Sequence, residues 1–284
     1  VDLRGDVLRQ VKPVLHRGGA SRWSVGANYL LGGDRRAWPC FTAAGGRLTG
    51  PMRVASQSMQ DTLTVRAFLP AGYDENTLKR YPVLYATDGG NLFDPGDSFG
   101  GREWGVDETT SLLDQMSVID KVIVVGVSSR GALRNQDYTK PGWDATLGFF
   151  TDELVPKVDA AFRTLANPAD RAILGSSLGG VFSLHAFWSR RDVFGAAASM
   201  SSTFGYADDL FARVARDPLP DGRLYLDSGY PRDNFEAVRR MAGALAERGM
   251  GTRLRYVAHP RGLHGEAWWA ERLHLPLEFL FGRL

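Results

Sequence analysis

A single cysteine, Cys40, is all the thiol this 284-residue chain carries, which excludes an intramolecular disulfide framework and a cysteine-based zinc ribbon. Long apolar runs are missing as well. The most β-rich stretch, Val122–Val127, breaks off at Ser128-Ser129-Arg130, far short of the roughly 20 residues that a membrane-spanning helix needs. Charge of one sign does not dominate either. Thirty-four Lys and Arg stand against 32 Asp and Glu, a formal net charge of +2, and the basic residues are scattered, so a nucleic-acid partner is not expected. No cationic segment followed by an apolar one opens the chain. It begins on Val1 rather than methionine; a cytoplasmic protein is slightly favoured, and an exported form with its leader removed is left open. Glycine-rich pieces lack the lysine of a phosphate loop and the spacing of a dinucleotide fingerprint, and no metal-ligand cluster stands out, so neither cofactor nor metal is expected.

What is present is an ordinary globular composition, 44% hydrophobic and 23% charged. That rules out disorder as the main state. A chain of this length can bury about 75% of its unfolded surface in one large domain. Residues 1–50, punctuated by Gly18-Gly19, Gly32-Gly33 and Gly45-Gly46, read as a largely irregular N-terminal arm with one short helix near Val7–Val11. Residues 51–284 read as the catalytic domain. Alternation marks a strand at Thr62–Pro70, after which strands and helices take turns. Strands are expected at Pro82–Thr87, Val122–Ser128, Arg171–Gly175, Ala196–Met200, Arg223–Asp227 and Arg253–Val257. Helices are expected at Trp104–Met116, Leu147–Leu165, Leu178–Arg190, Asn234–Arg248 and Gly265–Leu280. Short apolar strands separated by amphipathic helices imply an α/β fold with a mostly parallel sheet covered on both faces.

The sharpest chemical signal is Gly175-Ser176-Ser177-Leu178-Gly179-Gly180, between the strand Ala172-Ile173-Leu174 and a helix. Strand, G-x-S-x-G and helix in that order are the context of a nucleophile elbow, in which a tight turn lifts the Ser177 hydroxyl out of the sheet. A serine hydroxyl needs a base. His16 lies in the arm, His185 on the elbow helix and His274 inside the last helix. His264, at the end of the loop His259-Pro260-Arg261-Gly262-Leu263-His264-Gly265, is the first candidate, with His259 the alternative. The acid belongs after the strand Arg223–Asp227. Asp233 is the first candidate, Asp227 and Glu236 the alternatives, and Asp233 also suits a plain helix cap. Backbone donors for an oxyanion are expected from Leu178 and from Gly90 in Asp88-Gly89-Gly90-Asn91-Leu92-Phe93-Asp94.

Five segments taken together resemble one family. They are Pro82–Gly89 (PVLYATDG), Val122–Val127 (VIVVGV), Glu153–Asp159 (ELVPKVD), Arg171–Gly180 (RAILGSSLGG) and His264–Trp268 (HGEAW). In order and wording they are similar to the putative esterase (esterase D-like) family, which includes enterochelin, feruloyl and acetyl-xylan esterases, S-formylglutathione hydrolases and mycolyltransferases. The resemblance spans roughly residues 60–284. It implies an α/β-hydrolase fold, catalytic roles for Ser177 and His264, an oxyanion hole at Gly90 and Leu178, and an acid in the loop after Asp227. The spacing from Gly229 to Asp233 is longer than the family's usual one.

The expected function is a serine ester hydrolase acting on a small-molecule ester. Its alternatives are a feruloyl or acetyl-xylan carbohydrate esterase, an acyltransferase on the same fold and a non-catalytic binding module. Arg130 and Arg134 follow a strand at the carboxyl edge, where they are expected to meet an anionic substrate. Trp104 and Trp268 are the expected aromatic platforms, with Trp143 and Trp269 also near the rim. The stretch from Pro82 onward reads closest to enterochelin-type members. An iron–catecholate lactone is therefore expected ahead of a feruloyl sugar ester, with the arm as a partial lid. Oligomeric state is not legible.

Overall fold

Alternate side chains of the short strands disappear into two separate cores, and that is what stacks helices on both faces of the sheet. In the strand Val83–Ala86, Val83 and Tyr85 join one apolar cluster and Leu84 and Ala86 the other, all at 1% exposure or less. The computed structural model describes residues 9–32 and 36–283. Within the arm the strands are β1 (Arg9–Val11), β2 (Val14–Arg17), β3 (Ala20–Trp23) and β4 (Tyr29–Leu31). The main sheet has β5 (Arg47–Leu48), β6 (Met52–Ser56), β7 (Asp61–Leu69), β8 (Val83–Ala86) and β9 (Ile123–Val127). It continues with β10 (Arg171–Ser176), β11 (Ala196–Met200), β12 (Arg223–Tyr230) and β13 (Leu254–Pro260).

The helices are α1 (Val106–Gln115), α2 (Arg134–Tyr138), α3 (Trp143–Gly148), α4 (Val155–Ala161) and α5 (Leu178–Ser189). After them come α6 (Leu210–Arg216), α7 (Phe235–Glu247), α8 (Glu266–Arg272) and α9 (His274–Phe281). A π-helical stretch, Phe149–Leu154, joins α3 to α4. Strand order is β13-β12-β11-β10-β8-β9-β7-β5, with β6 also on β7. Strands β8 to β13 run parallel and β7 is antiparallel to β9. This is the α/β-hydrolase arrangement. Because β8, β10, β12 and β13 run the same way, the loops after them emerge at one edge, the place where ligands bind in such sheets.

Two expectations for the arm need correction. Arg9–Val11 is not helical. It pairs antiparallel with Tyr29–Leu31, and Val7 and Leu8 lie outside the described residues. One turn of helix is a costly nucleus, whereas the partner strand supplies the backbone bonds at once. The arm is also more regular than expected: β2 and β3 form a hairpin across Gly18-Gly19, both with positive φ, and β5 takes Arg47–Leu48 into the main sheet.

Candidate active site

Ser177 sits where β10 ends and α5 begins, with φ 56° and ψ −121°, a conformation that a non-glycine residue adopts only when its surroundings force it. The forcing is visible at its neighbours. A Cβ on Gly175 would fall 2.4 Å from both Gly179 O and Thr87 Oγ1, and one on Gly179 would fall 2.4 Å from Thr87 Oγ1. Only glycine permits strand, turn and helix to approach this closely. As the first residue of α5, Leu178 has an N–H with no partner inside the helix, and the helix dipole places partial positive charge there.

The loop after β13 brings His264 back over this turn. The Ser177 hydroxyl lies 3.0 Å from His264 Nε2, and His264 Nδ1 lies 2.7 Å from Asp233 Oδ1. A carboxylate only accepts, so the ring proton belongs on Nδ1, and Nε2 is left to accept from Ser177. Asp233 stands at φ 66°. Its carboxylate does not cap α7; it turns back to accept from Ser201 Oγ (2.6 Å), Gly229 N (2.8 Å) and Arg272 Nη2 (3.2 Å). Burial would raise its pKa. The bonds from His264, Ser201 and Gly229 and the Arg272 charge prevail and hold it below the usual carboxylate value.

The other sequence candidates lie elsewhere. Asp227 is fully buried, 3.1 Å from Arg272 Nε, and accepts from Tyr225 Oη at 3.0 Å. Glu236 pairs at the surface with Arg239. His259 stays in β13, in register with Gly229. His185 is buried against Trp143, the rings stacked with centroids 3.9 Å apart.

Cavities open on two sides of Ser177. One, of about 460 Å³, is lined by Asn91, Phe99, Arg134, His264, Glu266 and Trp269, among others. It shares Asp88, Asn91, Phe99 and Ser129 with a groove of about 550 Å³ that reaches Gly90. The other, a shallow and open one of about 490 Å³, is lined by Ala132, Asn135, Leu178, Thr203 and Tyr206, among others. No described residue of 9–50 lines any of these three. Among the described residues of the arm, none stands over the site as the expected lid. Instead the arm packs near the end of α1, where Leu30 N–H donates to Ser117 Oγ at 3.1 Å.

Of the four expected binding residues, Arg134 lines the cavities beside Ser177 and the other three do not. Trp104 is buried, its ring 5.7 Å from that of Trp269. Trp268 does not line the cavity. The next residue, Trp269, does, and it stands edge-on to His264 at 5.0 Å. Spacing could have indicated this choice, since Trp269, Leu273, Leu277 and Leu280 follow the buried stripe of the last helices. Arg130 is ion-paired with Asp137 and Asp61. Arg134 lines both cavities, but its guanidinium forks onto Asp88 at 2.7 and 2.8 Å. Neither arginine offers an uncompensated positive charge to a ligand.

Residues 56–279 match the model of a protein family described as "Putative esterase". Among curated proteins, an endo-1,4-beta-xylanase/feruloyl esterase of Xylanibacter ruminicola is 24% identical over 209 residues, which is 68% of this chain and 26% of that protein. The chain thus spans about a quarter of that relative's length. YbbA of Bacillus subtilis, described as uncharacterized, is 20% identical over 76% of this chain and 91% of that protein. Among solved structures, a ferulic acid esterase superposes with a TM-score of 0.70 at 20% identity, covering 84% of this chain and 98% of that one. The enterochelin esterase of Shigella flexneri superposes with a TM-score of 0.69 at 16% identity, covering 81% and 57%. At such identities these structures attest the fold.

Proposed function

The chain belongs to the esterase family, and on that premise we propose that it hydrolyses carboxylic esters through a Ser177–His264–Asp233 triad. The observation that carries this reading is the unbroken hydrogen-bonded line from the Ser177 hydroxyl through both nitrogens of His264 to Asp233. Ser177 Oγ attacks the ester carbonyl as His264 Nε2 takes its proton, and Asp233 holds the ring and balances the imidazolium. The N–H groups of Leu178 and Gly90 receive the oxyanion. Collapse breaks the bond to the leaving oxygen, which takes the proton from Nε2. Water, deprotonated by the same nitrogen, then releases the acid and restores Ser177.

The charge balance of the cleft bears on the substrate. With Arg134 matched by Asp88 and Arg130 by Asp137 and Asp61, Glu266 adds a carboxylate that has no ion pair of its own among the described residues. A catecholate lactone carrying several negative charges meets repulsion there, whereas a neutral ester of an aryl acid does not. This reverses the order expected from sequence and favours a feruloyl-type ester. Comparing purified enzyme on methyl ferulate, an iron–catecholate trilactone and short acetates tests the reading. Preference for the trilactone would overturn the substrate assignment, and turnover that survives Ser177→Ala would overturn the mechanism.

A further inference from the structure

Resting on that reading, we infer that the ester straddles Ser177 in one direction: its alcohol lies in the cavity beside His264 and its acyl group in the cavity beside Tyr206, so that Glu266 and Tyr206 set specificity for the two halves. The direction follows from proton bookkeeping. The base that deprotonates Ser177 must hand the same proton to the leaving oxygen, so that oxygen has to sit within hydrogen-bond reach of His264 Nε2. His264 lines the cavity of about 460 Å³ and not the one of about 490 Å³. With the oxyanion drawn to the N–H groups of Leu178 and Gly90 and the leaving oxygen held beside His264, the cavity lined by Leu178 and Tyr206 is left for the remaining substituent of the tetrahedral carbon.

The walls agree with this division. On the His264 side, the Glu266 carboxylate accepts from Asn91 Nδ2 at 3.2 Å, and Asn91 Oδ1 accepts from Phe99 N at 2.9 Å. Glu266 spans from α8 to the loop after β8, and a carboxylate has further lone pairs for hydroxyl donors. That wall suits an alcohol that itself bears hydroxyls, and it opposes an acidic one. On the far side Tyr206 is 53% exposed, and its hydroxyl accepts from Asn135 Nδ2 at 3.2 Å. The ring is thereby held at its hydroxyl end, with its exposed half left to a planar acyl group. Leaving a ring of this size in water is unfavourable by itself, and an aryl acyl group covering it would recover that burial.

The test varies each half of the substrate separately. Methyl ferulate against methyl acetate gives an acyl ratio of kcat/KM, and a feruloyl sugar ester against methyl ferulate gives an alcohol ratio. Tyr206→Ala is expected to lower the acyl ratio about tenfold and leave the alcohol ratio in place. Glu266→Gln is expected to lower the alcohol ratio about fivefold and leave the acyl ratio in place. The assignment is overturned if the two variants exchange effects or if neither ratio moves. Ratios within one protein are insensitive to the fraction folded. Failure of the hydrolase reading would show separately, as wild-type turnover that persists in Ser177→Ala, and would remove the subsite assignment with it.

Discussion

At the scale of single residues, Ser177 and its neighbour make the cleanest contrast. Ser177→Ala should lower kcat by several orders of magnitude, leaving only what binding and oxyanion donors provide. Ser176 is 1% exposed with no partner for its hydroxyl, so Ser176→Ala should fold and turn over substrate almost normally. The acids separate in the same way. Asp233→Asn should lower kcat about 10³- to 10⁴-fold by disturbing the His264 tautomer. Asp227→Asn should leave kcat within about tenfold while lowering stability by roughly 3 kcal/mol, because buried Arg272 loses one of its two carboxylates. Steady-state kinetics and thermal melts on both variants check this, and the reverse pattern would make Asp227 the acid. The pH dependence has a definite sign. Asp233 titrates below its unfolded value when folded. Its stabilising contribution is therefore complete above about pH 4 and is lost as acid carries the protein down through the folded pKa.

At the scale of elements, the elbow depends on contacts that tolerate no added atoms. Gly179→Ala pushes a methyl into Thr87 Oγ1 and to within 3.0 Å of Asp88 Oδ2. A loss of about 1–3 kcal/mol is expected from the overpacking. Activity should fall further than stability does, because Asp88 leads into the loop carrying Gly90. Comparing the melting temperature with kcat reads both effects. Helix α5 is apolar all round and buried from Gly179 to Trp188, and its one histidine shows how a helix interior handles a titratable group. Burial, aided by the nearby Arg213 charge, pushes His185 down to about 3. The unfolded chain therefore binds a proton below about pH 6.5 that the native state refuses, and stability should decline as pH falls through that point. His185→Gln should flatten that decline in melting temperature between about pH 6.5 and 4.5; an unchanged slope would count against it. Element positions were readable wherever periodicity governed. Leu147–Leu165 was not fully so. Helix α4 stops at Ala161 because Arg163 O and Leu165 N bond Tyr81 instead, a partner that helical spacing cannot reveal.

For the molecule as a whole, we propose that the catalytic unit starts at Arg47, where β5 enters the sheet, rather than at residue 51. Removing residues 1–44 should then lower the melting temperature, since Phe41 and Thr42 bond Glu75 and Tyr29 is buried. The same truncation should leave kcat/KM within about threefold, because the described arm residues line none of the cavities beside Ser177. A large loss of activity at temperatures where the truncated protein remains folded would restore the lid expected from the arm's length.

Local pattern determined a good deal by itself. Period-two and helical spacing set the order of strands and helices, and strand, G-x-S-x-G and helix in succession singled out Ser177. The loop position after the last strand favoured His264. Each of these is a short-range property, written within about a dozen neighbouring residues. Tertiary structure alone decided which carboxylate faces His264, because Asp227, Asp233 and Glu236 share one segment. There the choice was made by a positive φ at Asp233 and by donors from Ser201, Gly229 and Arg272. It also decided that Arg134 is balanced, since its partner Asp88 lies 46 positions away, and that Asp61, 69 positions off, joins the nearby Asp137 at Arg130. Charge pairing and side-chain direction depend on what the fold brings alongside, and no spacing along the chain encodes those neighbours.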